Sequence, residues 1–219
     1  GYGDPNVSFD ANEGVFYAKS AGRLVIDGNF IDVEQLLTID GDVDIAGGNV
    51  AYPGELLIHG WVRSGMSVEA VKDIVIQGGV EAASVRSAEG DVVISKGIQG
   101  SGRGIVQAAG DVTSKFIEQA TVVAGGTIKT QNAINSELAG GDAVIVTQGK
   151  GVVLGGKIYA GRRVEARELG GGTGAPTVVQ LGITPEHLTE LAKLKTSLQA
   201  AEQALAETVG KSSPASSGK

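Results

Sequence analysis

Between residues 37 and 98, apolar and polar positions repeat as a block. The triplets Leu37, Ile39, Val43; Leu56, Ile58, Val62; Ile74, Ile76, Val80; and Val92, Ile94, Ile98 follow one another at offsets of 19, 18 and 18 residues. The first two members of each triplet are two residues apart, the spacing of one face of a β-strand. A glycine (Gly41, Gly60, Gly78, Gly97) lies between the second and third members. Each block therefore predicts a strand, a bend and another strand. A unit of about 18 residues cannot bury one apolar face alone, and stacking such units in parallel gives a β-helix. The three columns then become aliphatic ladders whose rungs are about 4.8 Å apart. The glycines are expected at corners, where a left-handed backbone or a tight bend excludes a Cβ.

A weaker repeat marks a second wall. Val68 and Ala70, Val85 and Ser87, Val106 and Ala108, Val122 and Ala124, and Ile158 and Ala160 each pair an apolar residue with a small one two positions on. A Gly-polar step follows most of them, as in Gly90-Asp91, Gly110-Asp111, Gly126-Thr127 and Gly161-Arg162. The spacing drifts after Ile98, and Ser114 stands where Ile94 stood, so corner lengths are expected to vary. Counting from Leu24 to Leu169 gives about eight coils at about 18 residues each.

These patterns divide the chain into a β lead-in over 1–31, a parallel β-helix over 32–182, a helix over 183–209 and a disordered tail over 210–219. The lead-in reads as hairpin-like, with Asp4, Pro5, Asn12 and Gly14 around Val15–Tyr17 and Leu24–Ile26, and it carries Tyr2 and Phe30. Such a segment would cover the exposed edge of the first coil. Gly170–Gly172 and a strand at 177–181 close the solenoid. Thr184 and Pro185 then form a helix start, with Glu186 near its positive end. Leu191, Leu198 and Leu205 repeat every seven residues, with Leu194, Ala201 and Thr208 three after each, which is a short coiled-coil pattern. Leu191, Leu194, Leu198 and Leu205 are thus the candidates for self-association.

Composition narrows the reading. With 35 Gly among 219 residues and only 4 % aromatics, the chain is far richer in glycine than the usual share of about 7 %. A thin solenoid core reconciles that with recurrent Val, Ile and Leu. The net charge of −7 argues against a nucleic-acid footprint, which requires clustered Lys and Arg. The densest basic spot, Lys157 with Arg162, Arg163 and Arg167, reads as a solvated surface. Absence of cysteine rules out disulfides and thiolate zinc sites and is compatible with the cytoplasm. No run reaches the 18 or so apolar residues that suggest a membrane span. The chain opens on Gly1 without an initiator Met or signal segment, as a fragment would.

Motifs that could carry chemistry lack their complements. Gly151–Lys157 matches GxxxxGK, but Ile158 follows where a magnesium-binding Ser or Thr belongs, and no helix pattern comes after it. Gly170, Gly172 and Ala175 fit GxGxxA, yet a strand follows instead of a helix. Asp40, Asp42 and Asp44 suggest a calcium loop until Ile45 and Ala51 occupy the positions of its Gly and Glu; a weak surface cation site or a solvated edge remains. His59 should point outward beside Trp61, and neither it nor His187 has a catalytic partner at a telling spacing. No catalytic, cofactor-binding or metal-ligating residue is assigned, and no cofactor is expected.

The stretches 48–70, 74–85, 90–104, 108–126 and 149–161 together resemble the bacterial flagellar assembly protein A family over about residues 10–205. The resemblance implies a right-handed β-helix followed by a helical hairpin or coiled coil. It also implies a cytoplasmic, non-enzymatic protein of flagellar assembly or placement, related in architecture to polymer-forming bactofilins. Its partners would be proteins, including further copies of itself as a homo-oligomer, without nucleic-acid binding or membrane insertion. A bactofilin-like filament and a carbohydrate-active β-helix enzyme are the competing readings. The filament would need an uncapped apolar coil at each end, and the enzyme converging carboxylates in a wall groove.

Overall fold

The computed structural model describes residues 6–28, 30–171 and 174–211. Tyr2, Asp4 and Pro5 of the lead-in, Gly172, the side chain of Thr208 and the tail beyond Lys211 lie outside the described residues. The chain forms two compact units, Gly1–Thr184 and Pro185–Lys219.

The first unit begins with two antiparallel hairpins, β1 (Val7–Asp10) with β2 (Val15–Ala18) and β3 (Arg23–Asp27) with β4 (Phe30–Glu34). The lead-in is therefore hairpin-like, as its alternation predicts, but it continues to Glu34. The coils then start at Leu36, so counting them from Leu24 places the first one too early. β5 (Leu36–Ile39) and β6 (Val50–Tyr52) make the first coil, β7 (Glu55–Ile58) and β8 (Ser67–Ala70) the second, β9 (Ile74–Ile76) and β10 (Ser84–Ser87) the third. β11 (Val92–Ile94) and β12 (Ile98–Ala108), β13 (Val112–Ser114) and β14 (Ile117–Ala124), and β15 (Ile128–Lys129) and β16 (Asn132–Gly140) follow. β17 (Ala143–Val146) and β18 (Val152–Ala160) make the seventh coil, and β19 (Arg163–Ala166), β20 (Glu168–Leu169) and β21 (Thr177–Leu181) complete the eighth. Odd-numbered strands from β5 to β19 form one parallel sheet of eight; β6 to β20 by even numbers, with β21 beside β18, form a second of nine.

The ladders are those the sequence predicts. Leu37, Leu56, Ile74 and Val92 pair in register, as do Ile39, Ile58, Ile76 and Ile94. Val43, Val62, Val80 and Ile98 are linked by single parallel bridges along a short third wall. Together with Val68, Val85, Val106 and Val122 of the second sheet they form one continuous buried core. Burying each such side chain contributes roughly 1.5–3 kcal/mol relative to exposure.

After the fourth coil the drift has a local cause. β12 carries a bulge between Gln99 and Gly104, with Ser101 at φ 48° and Gly102 at φ 76°, so extra residues leave at this corner without disturbing the ladders on either side. In later coils the same corner turns on a left-handed backbone at Gln119 (φ 48°), at Asn135 (φ 46°), and at Gly155 with Gly156 (φ 67° and 86°). Ser114 does take the place of Ile94 in the ladder; its hydroxyl lies 3.5 Å from that of Thr130, which in turn donates to the Asn132 carbonyl at 3.2 Å.

The second unit is the helix α1 (Pro185–Lys211), which starts where the sequence places it and runs on through Gly210 and Lys211, two residues assigned above to the tail.

Ile76 is fully buried with a rung on each side, whereas its neighbour Gln77 is exposed. Ile76→Asp should abolish soluble folding, because an unpaired buried carboxylate costs several kcal/mol against a typical total stability of about 5–15 kcal/mol. Gln77→Asp should leave the denaturation midpoint nearly unchanged. Equal midpoints for the two variants would reverse the inward and outward assignment of this wall.

Candidate interaction surface

Strand alternation sends every second residue of the odd-numbered sheet outward. In register, one outward column reads Thr38, Leu57, Val75, Val93, Thr113. Three adjacent rungs are therefore aliphatic on the solvent side; Leu57 and Val75 are half-buried and Val93 is 38 % exposed. Two residues earlier on successive coils stand Glu55, Asp73, Asp91 and Asp111, and two residues later than the apolar rungs stand His59, Gln77 and Ser95. The wall thus carries an apolar stripe with carboxylates along one flank and His59, Gln77 and Ser95 along the other.

The carboxylate flank is built into the corners. Asp73 Oδ1 accepts the Asp91 N–H at 2.8 Å, Asp91 Oδ1 the Asp111 N–H at 2.7 Å, and Asp111 Oδ1 the Thr127 N–H at 2.8 Å. Each carboxylate occupies the space where a Cβ on the next coil's glycine would go: Asp73 at Gly90, Asp91 at Gly110, Asp111 at Gly126. The Gly-Asp step is one device, in which the glycine admits the carboxylate from the coil before and the aspartate caps the coil after. Asp111 also holds Lys129 at 2.9 Å through Oδ2. The Thr127 N–H first, and Lys129 with it, hold the Asp111 carboxyl below the usual carboxylate range.

The same principle corrects the expectation for the third-wall glycines. None of Gly41, Gly60, Gly78 and Gly97 has a positive φ; Gly60, Gly78 and Gly97 are glycine because neighbouring coils crowd them. A Cβ on Gly60 would overlap Asp42 Oδ1 and the Gly41 carbonyl. The Trp61 indole lies against Gly78 and Gly79, and the Phe116 ring lies over Gly97.

The three aspartates do not converge. Asp40 pairs with outward-facing His59 (3.1 Å). Asp42 accepts the Trp61 N–H (2.7 Å) and the Arg63 guanidinium (2.7 Å), while Asp44 caps its own turn through the Ala46 and Gly47 N–H groups. Arg63 also reaches Glu81 at 2.7 Å, and its guanidinium carbon lies 5.6 Å from the Trp61 ring centroid. Asp42 through Glu81 is therefore a clasp across three coils. The Trp61 N–H, followed by Arg63, lowers the Asp42 pKa, and Asp42 with Glu81 raises that of Arg63. Among the described residues no group of three His, Cys, Asp or Glu could hold a metal ion.

The remaining motifs fall on ordinary solenoid parts. Gly151–Lys157 runs into β18, with Gly155 and Gly156 (φ 67° and 86°) at the corner and Lys157 in register between Glu137 and Val178. Past Gly170 and Ala175 the chain enters β21, a strand, as expected. The basic residues disperse: Arg162 pairs with Asp142, Arg163 with Glu165 at 3.0 Å, and Arg167 donates to the Gly149 carbonyl at 3.1 Å. On α1, Leu191, Leu194, Leu198 and Leu205 are all exposed. No helix among the described residues is long and apolar enough to cross a membrane.

Residues 35–214 match the family model of the Flagellar Assembly Protein A beta solenoid domain. The chain belongs to that family. No curated protein and no solved structure matches it. The match starts where the first coil starts and extends beyond the solenoid, so in this family member the stripe, the Gly-Asp corners and α1 all lie within the matched region.

Sequence inspection finds the Gly-polar steps but misses the outward stripe. Its members are 18 residues apart on positions that burial does not constrain, and only the register aligns them.

Two outcomes follow from the corners. Gly110→Ala should lower the thermal midpoint well beyond the effect of Gly102→Ala, whose Cβ would meet open space, although φ 76° there carries its own strain. Because folding lowers the Asp111 and Asp42 pKa values, their stabilisation is complete above the ordinary carboxylate value near 4 and is lost as pH falls through the lower folded values. Asp111→Asn keeps the acceptor and removes the titration, so its urea midpoint should fall less between pH 6 and pH 3 than that of the parent chain. Parallel losses in the two proteins would show that Asp111 does not contribute.

Proposed function

We propose that this chain is a non-enzymatic scaffold of flagellar assembly or placement, acting in the cytoplasm by offering a rigid solenoid wall to protein partners. The observation that carries this reading is the outward-facing apolar stripe Leu57, Val75, Val93, held on a wall whose backbone is bonded coil to coil. Family membership supplies the flagellar context. Right-handed winding fits the hand that strand twist gives to parallel crossovers.

The two ends of the solenoid differ. At the first coil Tyr52 is buried and its hydroxyl donates to the Glu34 carbonyl at 2.6 Å, whereas Leu181 of the eighth is 57 % exposed. Homo-oligomerisation is assigned to Leu191, Leu194, Leu198 and Leu205 of α1, paired as a coiled coil between copies. In a parallel pair, Glu190 precedes its leucine and Lys195 sits five residues on, which are the complementary flanking positions of such a coil.

In a gene-deletion strain, the gene carrying Val75→Thr and Val93→Thr should fail to restore the flagella that the unaltered gene restores, counted by electron microscopy. Full restoration would remove the wall from the function. Light scattering should give a smaller mass per particle for Leu191→Ser with Leu198→Ser than for the parent chain. Equal masses would show that the helix does not drive association.

A further inference from the structure

We infer that the stripe Leu57, Val75, Val93 is a docking track for a basic amphipathic helix of a protein partner, lying along the solenoid axis. This rests on the scaffold reading above and adds the chemistry of the partner. Three features of the wall select it.

The backbone of this sheet face is already paired on both sides, β7 with β5 and β9, and β9 with β7 and β11. An extended segment laid on the face would find no ladder to join, so the partner must satisfy its own backbone, as a helix does. The coil spacing of about 4.8 Å is close to the helical pitch of about 5.4 Å, so side chains at i, i+4 and i+7 meet one rung each with under about 2 Å of accumulated mismatch over three coils.

The flank sets the partner's charge. Asp73 and Asp91 each commit Oδ1 to a backbone N–H, both residues are exposed, and Glu55 continues the row. Lys129 engages Asp111, and nearby Lys72 is held by Glu89 at 2.6 Å, which leaves Glu55, Asp73 and Asp91 to face a ligand. Three carboxylates repeating once per coil match Lys or Arg repeating once per helical turn. The opposite flank of His59, Gln77 and Ser95 adds no such row. The chain's own helix mixes Glu190, Lys193, Lys195 and Glu202 around its leucines, so it lacks the single-sign flank this wall calls for.

The test uses the full chain and a fluorescein-labelled helix of about 18 residues, with leucines at i, i+4 and i+7 and lysines along one flank. Fluorescence anisotropy should show saturable binding. Val75→Thr with Val93→Thr should weaken it about tenfold or more, since threonine already occupies this column at positions 38 and 113 and only apolar contact is lost. Asp73→Asn with Asp91→Asn, which keeps the corner acceptors, should weaken it several-fold and flatten its salt dependence. A peptide with scrambled leucines and one with glutamate for lysine should each bind about tenfold less well or worse.

Equal binding of the scrambled peptide, or of both variants, would overturn the inference. So would a peptide-free dimer that the two valine substitutions dissolve, which would make a second copy the occupant. If the peptide fails to bind while the same valine substitutions abolish flagella, the partner's chemistry is refuted and the scaffold reading stands.

Discussion

Everything in this solenoid depends on stacking coils at one strand separation. Backbone bonding between coils holds neighbouring rungs at about 4.8 Å, so each position must tolerate its equivalents directly above and below. Inward, that produces ladders such as Ile39, Ile58, Ile76, Ile94. Where the column turns polar, at Ser114 and Thr130, the hydroxyls lie close to each other, and that of Thr130 donates to a backbone carbonyl. The rule governs chemistry as well as size, because a buried hydroxyl requires a partner that only an adjacent coil or its own backbone can supply.

The corners obey the same constraint by a different route. A bend leaves backbone N–H groups outside the ladder, and the aspartates at 73, 91 and 111 accept them from one coil away. That placement forces glycine at the next corner, since the carboxylate fills the Cβ position. At Gly90-Asp91 and Gly110-Asp111 one dipeptide therefore closes two adjacent coils, and together with Asp73 these aspartates form a row of carboxylates beside the apolar stripe. At Asp73 and Asp91 the charge of the proposed docking wall is thus a by-product of how the corners are satisfied. On the short wall the device varies: Asp42 caps Trp61, Arg63 ties Asp42 to Glu81, and aromatic rings cover glycines that carry no side chain.

On the proposed reading, function resides in surfaces instead of a pocket of converging groups. The walls are stiff because their hydrogen bonds run from coil to coil. The helix is different in kind: its exposed leucines repeat at a coiled-coil interval and belong to a separate compact unit. A rigid wall that binds and a helix that multiplies copies would combine weak contacts into a stable assembly through raised effective concentration.

The sequence alone determined the coil, its inward and outward phase, the two principal walls and the start of the helix. Those properties repeat along the chain, and burial penalises any wrong residue, so Leu37 to Ile98 announce them by spacing. Tertiary structure decided what the outward residues form together. Leu57, Val75 and Val93 become one stripe only through register, because no burial constraint marks them and their neighbours lie 18 residues away. It also decided why particular glycines are glycine, a matter of contact with Asp73, Asp91, Asp111, Trp61 and Phe116. The left-handed corners at Gln119 and Asn135 were equally invisible, since neither is glycine and the turn is imposed by coils on both sides. Local repetition encodes the stack, and contacts between coils encode its surface.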